Sequence, residues 1–451
     1  MFHQRIIEPA AQATVSEAEL VAAFSYALDI TEGQPPGHCI RSCWIGFAIG
    51  GALGLSQSEL HDLYYTLLLK DLGCSSNAAR ICELYETDDR AFKQGYKTVG
   101  TSLAATLHFV FSRTARGRGF GQRAAAIANI LRNGDSIAQE MIVARCTRGA
   151  DIARSLRFSD AVCEGIYRLD EHWDGSGRPG RLQGQAVPLL ARIALVAQVV
   201  DVFHSHAGRS AALDEARRRA GGWFDPQVVA ALEQVARDER FWDHLRSPVL
   251  EARVVRMAPA AHVRPVDEDQ LDSIASAFGQ VIDAKSPYTS GHSARVAQFA
   301  EGIAAQLGVP AGRRRWLRRA AFLHDIGKLG VSNAILDKPA GLDSDEWQEM
   351  RAHAAHTREI LGRIGAFVDL ADIAAAHHER LDGAGYPLGL DALAIRRETR
   401  IITVCDFYDA LTADRPYRAA LPPSEALAIM GAEVGVAIDS ECFEALRAIV
   451  R

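Results

Sequence analysis

Histidine and aspartate side chains recur in the second half of this chain in types and in an order that suit metal-ion chemistry. Imidazole and carboxylate groups together are the ligands expected around Mn, Fe or Zn. Seven ligands are too many for one tetrahedral zinc, but they suit two ions that share a bridging carboxylate. Such a pair of ions can hold a bridging hydroxide and clamp a phosphodiester for in-line displacement. The candidate ligands are His292, His324, Asp325, His353, His377, His378 and Asp406.

A lysine lies close to these residues along the chain. Lys328 follows His324 by four residues in HDIGK, so both side chains lie on one face if the helix continues. An ammonium group at that place would bind a non-bridging phosphate oxygen beside the metal ions. A lone His-Asp pair is usually an ordinary polar helix surface. The site hypothesis therefore depends on the whole set of ligands and not on this one motif.

The elements that must position these residues are helices. Ala, Leu, Arg and Glu dominate, and apolar residues recur at three- and four-residue spacing in segments such as LVAAFSYAL and EGIAAQLGV. Hydrophobic content of 48% with 24% charged residues is typical of a globular protein, and 451 residues suggest two or three domains. The sequence therefore predicts an all-α protein.

Bulk properties narrow the range of partners. The net charge of -6 gives no general attraction to DNA or to an anionic membrane. The longest apolar run, 44–55, is shorter than the roughly 20 residues of a membrane span, and the N-terminus lacks the pattern of a signal peptide. The eight cysteines form no CxxC pair. We therefore expect a cytoplasmic protein with reduced thiols.

An internal repeat organises the chain. GHCIR at 37–41 matches GHSAR at 291–295, an offset of 291 − 37 = 254, and LLKDLG matches FLHDIG at the same offset. DGSGRPG at 174–180 matches DGAGYPL at 382–388, an offset of 208. The first copy thus carries about 254 − 208 = 46 extra residues, and we expect the basic segment 113–132 among them.

The repeat predicts two tandem helical domains. Residues 1–256 form the first and 272–451 the second, with a linker at 257–271 that contains two prolines and shows no helical periodicity. Because both copies have one fold, we expect them to pair pseudo-symmetrically through their first helices, near Leu20–Ile30 and Ile274–Ile282. Two independent domains on a flexible linker are the alternative.

Four segments of the second copy closely resemble the motif series of the HD-GYP family: HDIGK, the MRAH around His353, HHERLDGAGYP and VCDFYDALTADRPYR. That family is a subset of the HD phosphohydrolases that cleaves cyclic di-GMP and, in some members, a cyclic GMP-AMP. The resemblance implies two tandem HD-type helical bundles, with a dinuclear site in the second. It implies that one metal is held by His292, His324, Asp325 and Asp406, and the other by His353, His377 and His378, with Asp325 bridging.

The same resemblance implies roles around the metals. Lys328 would contact the scissile phosphate and act with Asp325 in catalysis. Tyr386, Arg415 and Arg418 would lie near the substrate or shape its loop, although packing against a turn explains Arg418 equally well. Fe or Mn are the expected divalent ions. Two ions are expected because Tyr288 stands where trinuclear members of the family carry a glutamate, and the loop between Leu390 and Ile395 departs from the family pattern.

The first copy has lost most of these ligands. Lys70 stands at the position of His324, Arg145 at that of His353 and Gln198 at that of Asp406. Cations at two ligand positions would repel a metal ion, so we expect a non-catalytic copy. It would serve as a packing partner, a dimerisation surface or a regulatory module, or bind a nucleotide directly through Lys70 and Arg145.

The leading functional hypothesis is hydrolysis of cyclic di-GMP or 3'3'-cyclic GMP-AMP to the linear dinucleotide by a metal-bridging hydroxide. One alternative is a signalling adaptor that binds proteins through the GYP loop or the degenerate copy. Another is an HD phosphohydrolase that acts on a different nucleotide. The sequence leaves the metal, the upstream signal and the formation of a homodimer open.

Overall fold

The computed structural model describes residues 15–99, 103–115, 119–259 and 266–450. Within these ranges the regular structure is helical apart from isolated β-bridges, and the predicted all-α class is confirmed. Helices of the first half of the chain are α1 Glu17–Thr31, α2 His38–Ala52, α3 Gln57–Leu69, α4 Ala78–Tyr85, α5 Asp89–Lys97, α6 Leu103–Arg113, α7 Phe120–Ser155, α8 Asp160–Tyr167, α9 Leu189–Arg219, α10 Pro226–Val235, α11 Glu239–Leu245 and α12 Leu250–Arg256.

Short 3-10 turns separate several helices of the second half. One of them, Ile326–Gly330, follows directly on the His-Asp pair. The α-helices are α13 Glu268–Asp283, α14 His292–Gln306, α15 Ala311–Leu323, α16 Asn333–Leu336, α17 Ser344–Gly362, α18 Val368–Ala375, α19 Arg397–Thr412, α20 Pro423–Ala432 and α21 Ser440–Ile449.

The first helices of the two halves pack against each other. The rings of Phe24 in α1 and Phe278 in α13 stack with their centroids 3.9 Å apart. Buried residues of both halves belong to one continuous hydrophobic core cluster. The side chain of Gln270 also donates to the Glu17 carboxylate over 2.7 Å. The predicted contact between these two helices is therefore present in the structure.

The extra residues of the first half form a helical insertion. At the offset of 208, α17 corresponds to residues 344 − 208 = 136 to 362 − 208 = 154, which is the C-terminal part of α7. The 46 extra residues that precede residue 136 begin near residue 136 − 46 = 90, so the insertion comprises α5, α6 and the N-terminal part of α7, whereas α4 matches α16 at the offset of 254. The basic segment 113–132 falls within it, as expected, although residues 116–118 lie outside the described ranges.

Two further predictions concern the joining segment and the membrane. Helix α12 ends at Arg256 and α13 begins at Glu268, while residues 260–265 of the predicted linker lie outside the described ranges. Among the described helices, α9 alone is long and apolar enough to cross a membrane. Its apolar window is 61% buried inside the protein, and the helix is kinked at Gly208.

Candidate metal centre

The first ligand, His292, is placed by the start of α14. Gly291 precedes it with φ +71°, a left-handed conformation that suits glycine. The buried Asp283 carboxylate accepts hydrogen bonds from the Ser293 backbone N–H at 3.2 Å and from its hydroxyl at 2.7 Å. This capping fixes the first turn of α14, and His292 projects from it into the interior.

The His-Asp pair stands where α15 ends. The α-helix stops at Leu323, and the chain then passes into the 3-10 turn, with the Lys328 N–H bonded to the Asp325 carbonyl over 2.8 Å. A continuous helix through Lys328 is therefore not what the structure shows. Gly327 lies against the main chain of α17, where a Cβ would approach the His353 carbonyl oxygen to 1.9 Å. This close approach brings the pair next to His353.

One oxygen of Asp325 faces the first group of ligands. Oδ2 lies 3.3 Å from the Nε2 atoms of both His292 and His324. The Oδ1 atom of Asp406, on α19, lies 3.5 Å from His292 Nε2 and 3.8 Å from His324 Nε2. The ligand atoms of His292, His324 and Asp406 are all within 4.8 Å of one another, close enough to hold a single ion.

The other oxygen of Asp325 faces the second group. Oδ1 lies 3.6 Å from the Nε2 atoms of both His353, on α17, and His377, just after α18. Asp325, His353, His377 and His378 form a second cluster with ligand atoms within 4.8 Å. The structure thus brings all seven predicted ligands together in two groups, and the Asp325 carboxylate lies between them.

Hydrogen bonds at Nδ1 orient the imidazoles. His324, His353 and His377 each donate Nδ1–H to the carbonyl three residues earlier, which leaves Nε2 as the ligand atom. The Nδ1 atom of His292 instead lies 2.7 Å from an oxygen of the buried Asp409, which also binds Arg295. Asp409 was not foreseen from the sequence, although it lies one helical turn after Asp406.

The residues fit metal ions. Asp325 Oδ1, His353 Nε2 and His377 Nε2 are buried and have no hydrogen-bond partner among the described residues. Burial lowers the pKa of His353 to about 4 and that of His377 to about 3, so both imidazoles are neutral and keep their lone pairs at neutral pH. Burial also acts to lower the pKa of His324, but the Asp325 and Asp406 carboxylates raise it to about 10. A divalent cation would satisfy the orphaned atoms and balance the carboxylates.

Lys328 and Tyr386 border the ligand groups. The Lys328 ammonium lies 2.6 Å from Asp325 Oδ2 and is only 17% exposed. The Tyr386 ring stacks on the His378 ring at 4.7 Å, and the exposed Arg351 guanidinium lies 5.3 Å from the Tyr386 ring centroid. Arg351 was not foreseen from the sequence, although it lies only two residues before the ligand His353.

The loops around the site are held by side chains of their own. The buried Glu379 carboxylate accepts from the Leu388 N–H at 2.6 Å and the Leu390 N–H at 2.9 Å, which ties the GYP loop to the paired histidines. The Arg418 guanidinium donates to the carbonyls of Ala410, Leu411 and Ala419. Arg418 therefore shapes its loop, and the partners of its guanidinium among the described part of the chain are backbone carbonyls and not ligand residues.

Tyr288 lies outside both ligand groups. It is 37% exposed and lines a cavity of about 1210 Å³ between the two halves. Side chains from the first half, among them Arg80 and Arg148, line the same cavity.

Charged side chains fill the corresponding place in the first half. A cluster of Glu32, Asp71 and Cys74 has potential ligand atoms within 4.8 Å of one another. The buried Lys70 ammonium, however, pairs with Asp71, and the Lys97 ammonium lies 2.8 Å from the Glu32 carboxylate. The Arg145 guanidinium pairs with Asp170. Lys70 and Arg145 thus already have carboxylate partners, which weakens the idea that they bind a nucleotide.

One feature of the catalytic arrangement is nevertheless present in both halves. His38 Nδ1 lies 2.7 Å from Asp201 Oδ2, and Arg41 binds the same carboxylate at 3.2 Å. These residues match His292, Asp409 and Arg295 at the two repeat offsets. The fold keeps this hydrogen-bonded group although the ligands around it have changed.

The helical fold and the two facing groups of histidine and aspartate define the class of the chain. The sequence model of a family described as "HD domain" matches residues 125–228 and 277–442, one segment in each half. The chain belongs to this family, and its second half carries the motifs of the HD-GYP branch.

Relatives support the assignment. The chain is 55% identical over 437 residues to 3'3'-cGAMP-specific phosphodiesterase 3 of Vibrio cholerae. This match covers 97% of this chain and 95% of the relative. It is 37% identical over 188 residues to the cyclic di-GMP phosphodiesterase response regulator RpfG of Xanthomonas campestris, covering 41% of this chain and 50% of the relative. A crystal structure of a cyclic GMP-AMP specific phosphodiesterase of V. cholerae matches with a TM-score of 0.67 and 49% identity, covering 97% of this chain and 98% of the other.

Proposed function

We propose that the chain is a metal-dependent phosphodiesterase that hydrolyses a cyclic dinucleotide to the linear dinucleotide, with its active site in the second half. One observation carries the proposal. The two oxygens of the Asp325 carboxylate face two separate ligand groups, at 3.3 Å on one side and 3.6 Å on the other. This is the arrangement that a bridging ligand between two divalent ions requires.

Two divalent ions, expected to be Fe or Mn, would be held by His292, His324 and Asp406 on one side and by His353, His377 and His378 on the other, with Asp325 shared. When bound, they supply Lewis acidity and an activated water for attack at phosphorus. The protein supplies the orientation. Asp409 and the backbone carbonyls fix the imidazoles, and the buried walls keep bulk water from the ligand atoms.

Lys328 is the residue proposed to bind the scissile phosphate. Its ammonium lies beside Asp325 and retains 17% exposure, so it can reach a phosphate oxygen next to the ligand groups. The Tyr386 ring, stacked on His378 and next to the Arg351 guanidinium, offers a flat surface and a positive charge at the rim. Arg415 is proposed to approach the substrate, whereas Arg418 holds the loop through backbone carbonyls.

We propose 3'3'-cyclic GMP-AMP as the preferred substrate. The relative that matches nearly the whole chain carries that specificity in its name, whereas the cyclic di-GMP phosphodiesterase RpfG matches 41% of this chain.

The domain division proposed from the repeat is 1–256 and 272–451, joined by 257–271. The first half would be non-catalytic because Lys70 and Arg145 occupy ligand positions.

The test is a direct comparison of substrates. Protein loaded anaerobically with Fe or Mn is incubated with cyclic di-GMP, 3'3'-cyclic GMP-AMP and cyclic di-AMP, and products are separated by chromatography. The proposal expects conversion to the linear dinucleotide, fastest for 3'3'-cyclic GMP-AMP. Faster cyclic di-GMP hydrolysis would overturn the substrate preference. Hydrolysis of none of the three would overturn the phosphodiesterase itself.

A further inference from the structure

Helix α5, which belongs to the insertion of the first half, contacts the end of the 3-10 turn Ile326–Gly330 and the start of α16. The Arg90 guanidinium donates a hydrogen bond to the carbonyl oxygen of Gly330, the last residue of that turn. The Asp89 carboxylate, next to it, accepts from the Asn333 backbone N–H at 3.0 Å and so caps α16. Two adjacent side chains of the first half therefore bond the last residue of the turn and the first residue of α16.

Groups of the second half hold the same segment. The buried Lys285 ammonium donates to the Leu329 carbonyl over 3.0 Å, and the Glu349 carboxylate accepts from the Ser332 N–H at 3.2 Å. A 3-10 turn has poorer hydrogen-bond geometry than an α-helix, so bonds from outside matter more for its position. This turn carries Lys328 and follows directly on Asp325. A shift of Gly330 would therefore reach the groups proposed to hold metal and phosphate.

The other end of α5 is anchored at the cluster of Glu32, Asp71 and Cys74, which stands in the first half where the second half has its ligands. The Lys93 ammonium donates to the carbonyls of Thr31 at 3.2 Å and Cys74 at 3.1 Å, and it lies 3.7 Å from the Glu32 carboxylate. Lys97, one turn later, lies 2.8 Å from the same carboxylate. The Glu32 carboxylate thus binds the lysines of α5 in place of a metal ion.

We propose that Asp89 and Arg90 are positioning residues for the active site of the other half. In this arrangement the degenerate copy anchors α5, and α5 fixes the turn that bears Asp325 and Lys328. The inference rests on the proposed function, because it assigns these two residues to the same site. It also gives the first half a role in the reaction although that half is not expected to bind metal.

Arg90→Gln is the direct test, with Arg90→Lys as the conservative variant. The side chain of Arg90 is 33% exposed, so its replacement should leave the fold intact. The matched control is Arg80→Gln on α4 of the same half, because among the described residues Arg80 pairs with the exposed Glu83. We expect kcat of Arg90→Gln to fall by roughly tenfold with KM and metal content unchanged, since a shift of about 1 Å in a reacting group has large kinetic effects. Arg90→Lys should recover part of the loss.

Hydrogen exchange supplies a readout that does not depend on turnover. Backbone amides of residues 326–336 should exchange faster in Arg90→Gln than in the wild type, with and without metal, and unchanged in Arg80→Gln. Wild-type kcat and wild-type exchange in Arg90→Gln would overturn the positioning role. A wild-type protein that cleaves no cyclic dinucleotide would overturn the proposed function instead, while the exchange comparison would still decide the contact.

Discussion

The rings of Phe24 and Phe278 stack on each other at 3.9 Å, and the two residues occupy the same position of the repeat, since 278 − 24 = 254. A residue that contacts its own counterpart marks the axis of a two-fold arrangement. Contacts on either side agree with this axis. Tyr26 donates to Glu359 of α17, and the side chain of Arg148, in α7, donates to the carbonyl of Gln280, the counterpart of Tyr26. The halves thus pair as two subunits of a symmetric dimer would.

This pairing predicts an energetic coupling between the two rings. Phe24→Ala and Phe278→Ala should each lower the free energy of unfolding by about 3–5 kcal/mol, because both rings are fully buried. The double variant should lose about 0.5–1.5 kcal/mol less than the sum of the two, because the second substitution no longer breaks the stack. Chemical denaturation of the four proteins measures the cycle. Strictly additive losses would argue against a direct interaction.

Asp325 and Lys328 should separate metal binding from catalysis. Asp325→Ala removes the carboxylate that faces both ligand groups, so metal content and turnover should both be lost. Lys328→Ala should leave metal content nearly intact and lower kcat by about 10²-fold, because the ammonium is proposed to act on the phosphate. Metal analysis beside steady-state kinetics checks both variants. Loss of the metals in Lys328→Ala would show that this lysine supports the ligands instead.

Asp409 offers a test with a control inside the same chain. Asp409→Asn weakens the orientation of His292 and should lower metal affinity by about 10- to 100-fold. Asp201→Asn makes the same change beside His38 in the first half and should leave metal affinity unchanged. Competition with a chelator measures both affinities. Equal losses in the two variants would mean that both act through stability and not through the ligand.

Some residues of the site could be predicted from the sequence, and others could not. Metal-ligand chemistry needs fixed residue types, so His292, His324 and Asp406 could be found from type and order alone. Lys328 was correctly predicted to lie near the ligands, but the continuous helix assumed for that prediction is absent. The end of α15 depends on the packing of Gly327 against the His353 carbonyl. That packing is a long-range contact and leaves no local pattern. Asp409 could have been found, because the repeat keeps Asp201 at the same offset.

The contacts of α5 with the second half were the least predictable. Arg90 and Asp89 look like ordinary residues of a polar helix in the sequence. Their role becomes visible only when α5 lies beside Gly330 and Asn333, some 240 residues away along the chain. The insertion itself could be located by comparing the two offsets, but nothing in its composition indicated which surface it would cover.

The buried Lys285 should make the free energy of unfolding depend on pH in the alkaline range. Burial lowers the pKa of this ammonium to about 8 from an ordinary value of 10.5, although the Asp89 carboxylate opposes the shift. Between these pH values the unfolded state binds more protons than the folded state, so the contribution of Lys285 to stability rises with pH. The difference in free energy of unfolding between wild type and Lys285→Met should therefore grow in favour of the wild type, by up to about 3 kcal/mol from pH 8 to 10.5. A difference that stays flat with pH would contradict the lowered pKa.

The number of metal ions per chain tests the central claim most directly. In the second half, the Asp325 carboxylate lies between two ligand groups. At the corresponding place in the first half, the Asp71 and Glu32 carboxylates pair with Lys70 and Lys97. Elemental analysis of the full chain after anaerobic loading and removal of free metal should give about two transition-metal ions, and His353→Ala should reduce that number. One ion per chain, or two ions retained by a protein that lacks His292, His353 and His377, would contradict a dinuclear site at Asp325.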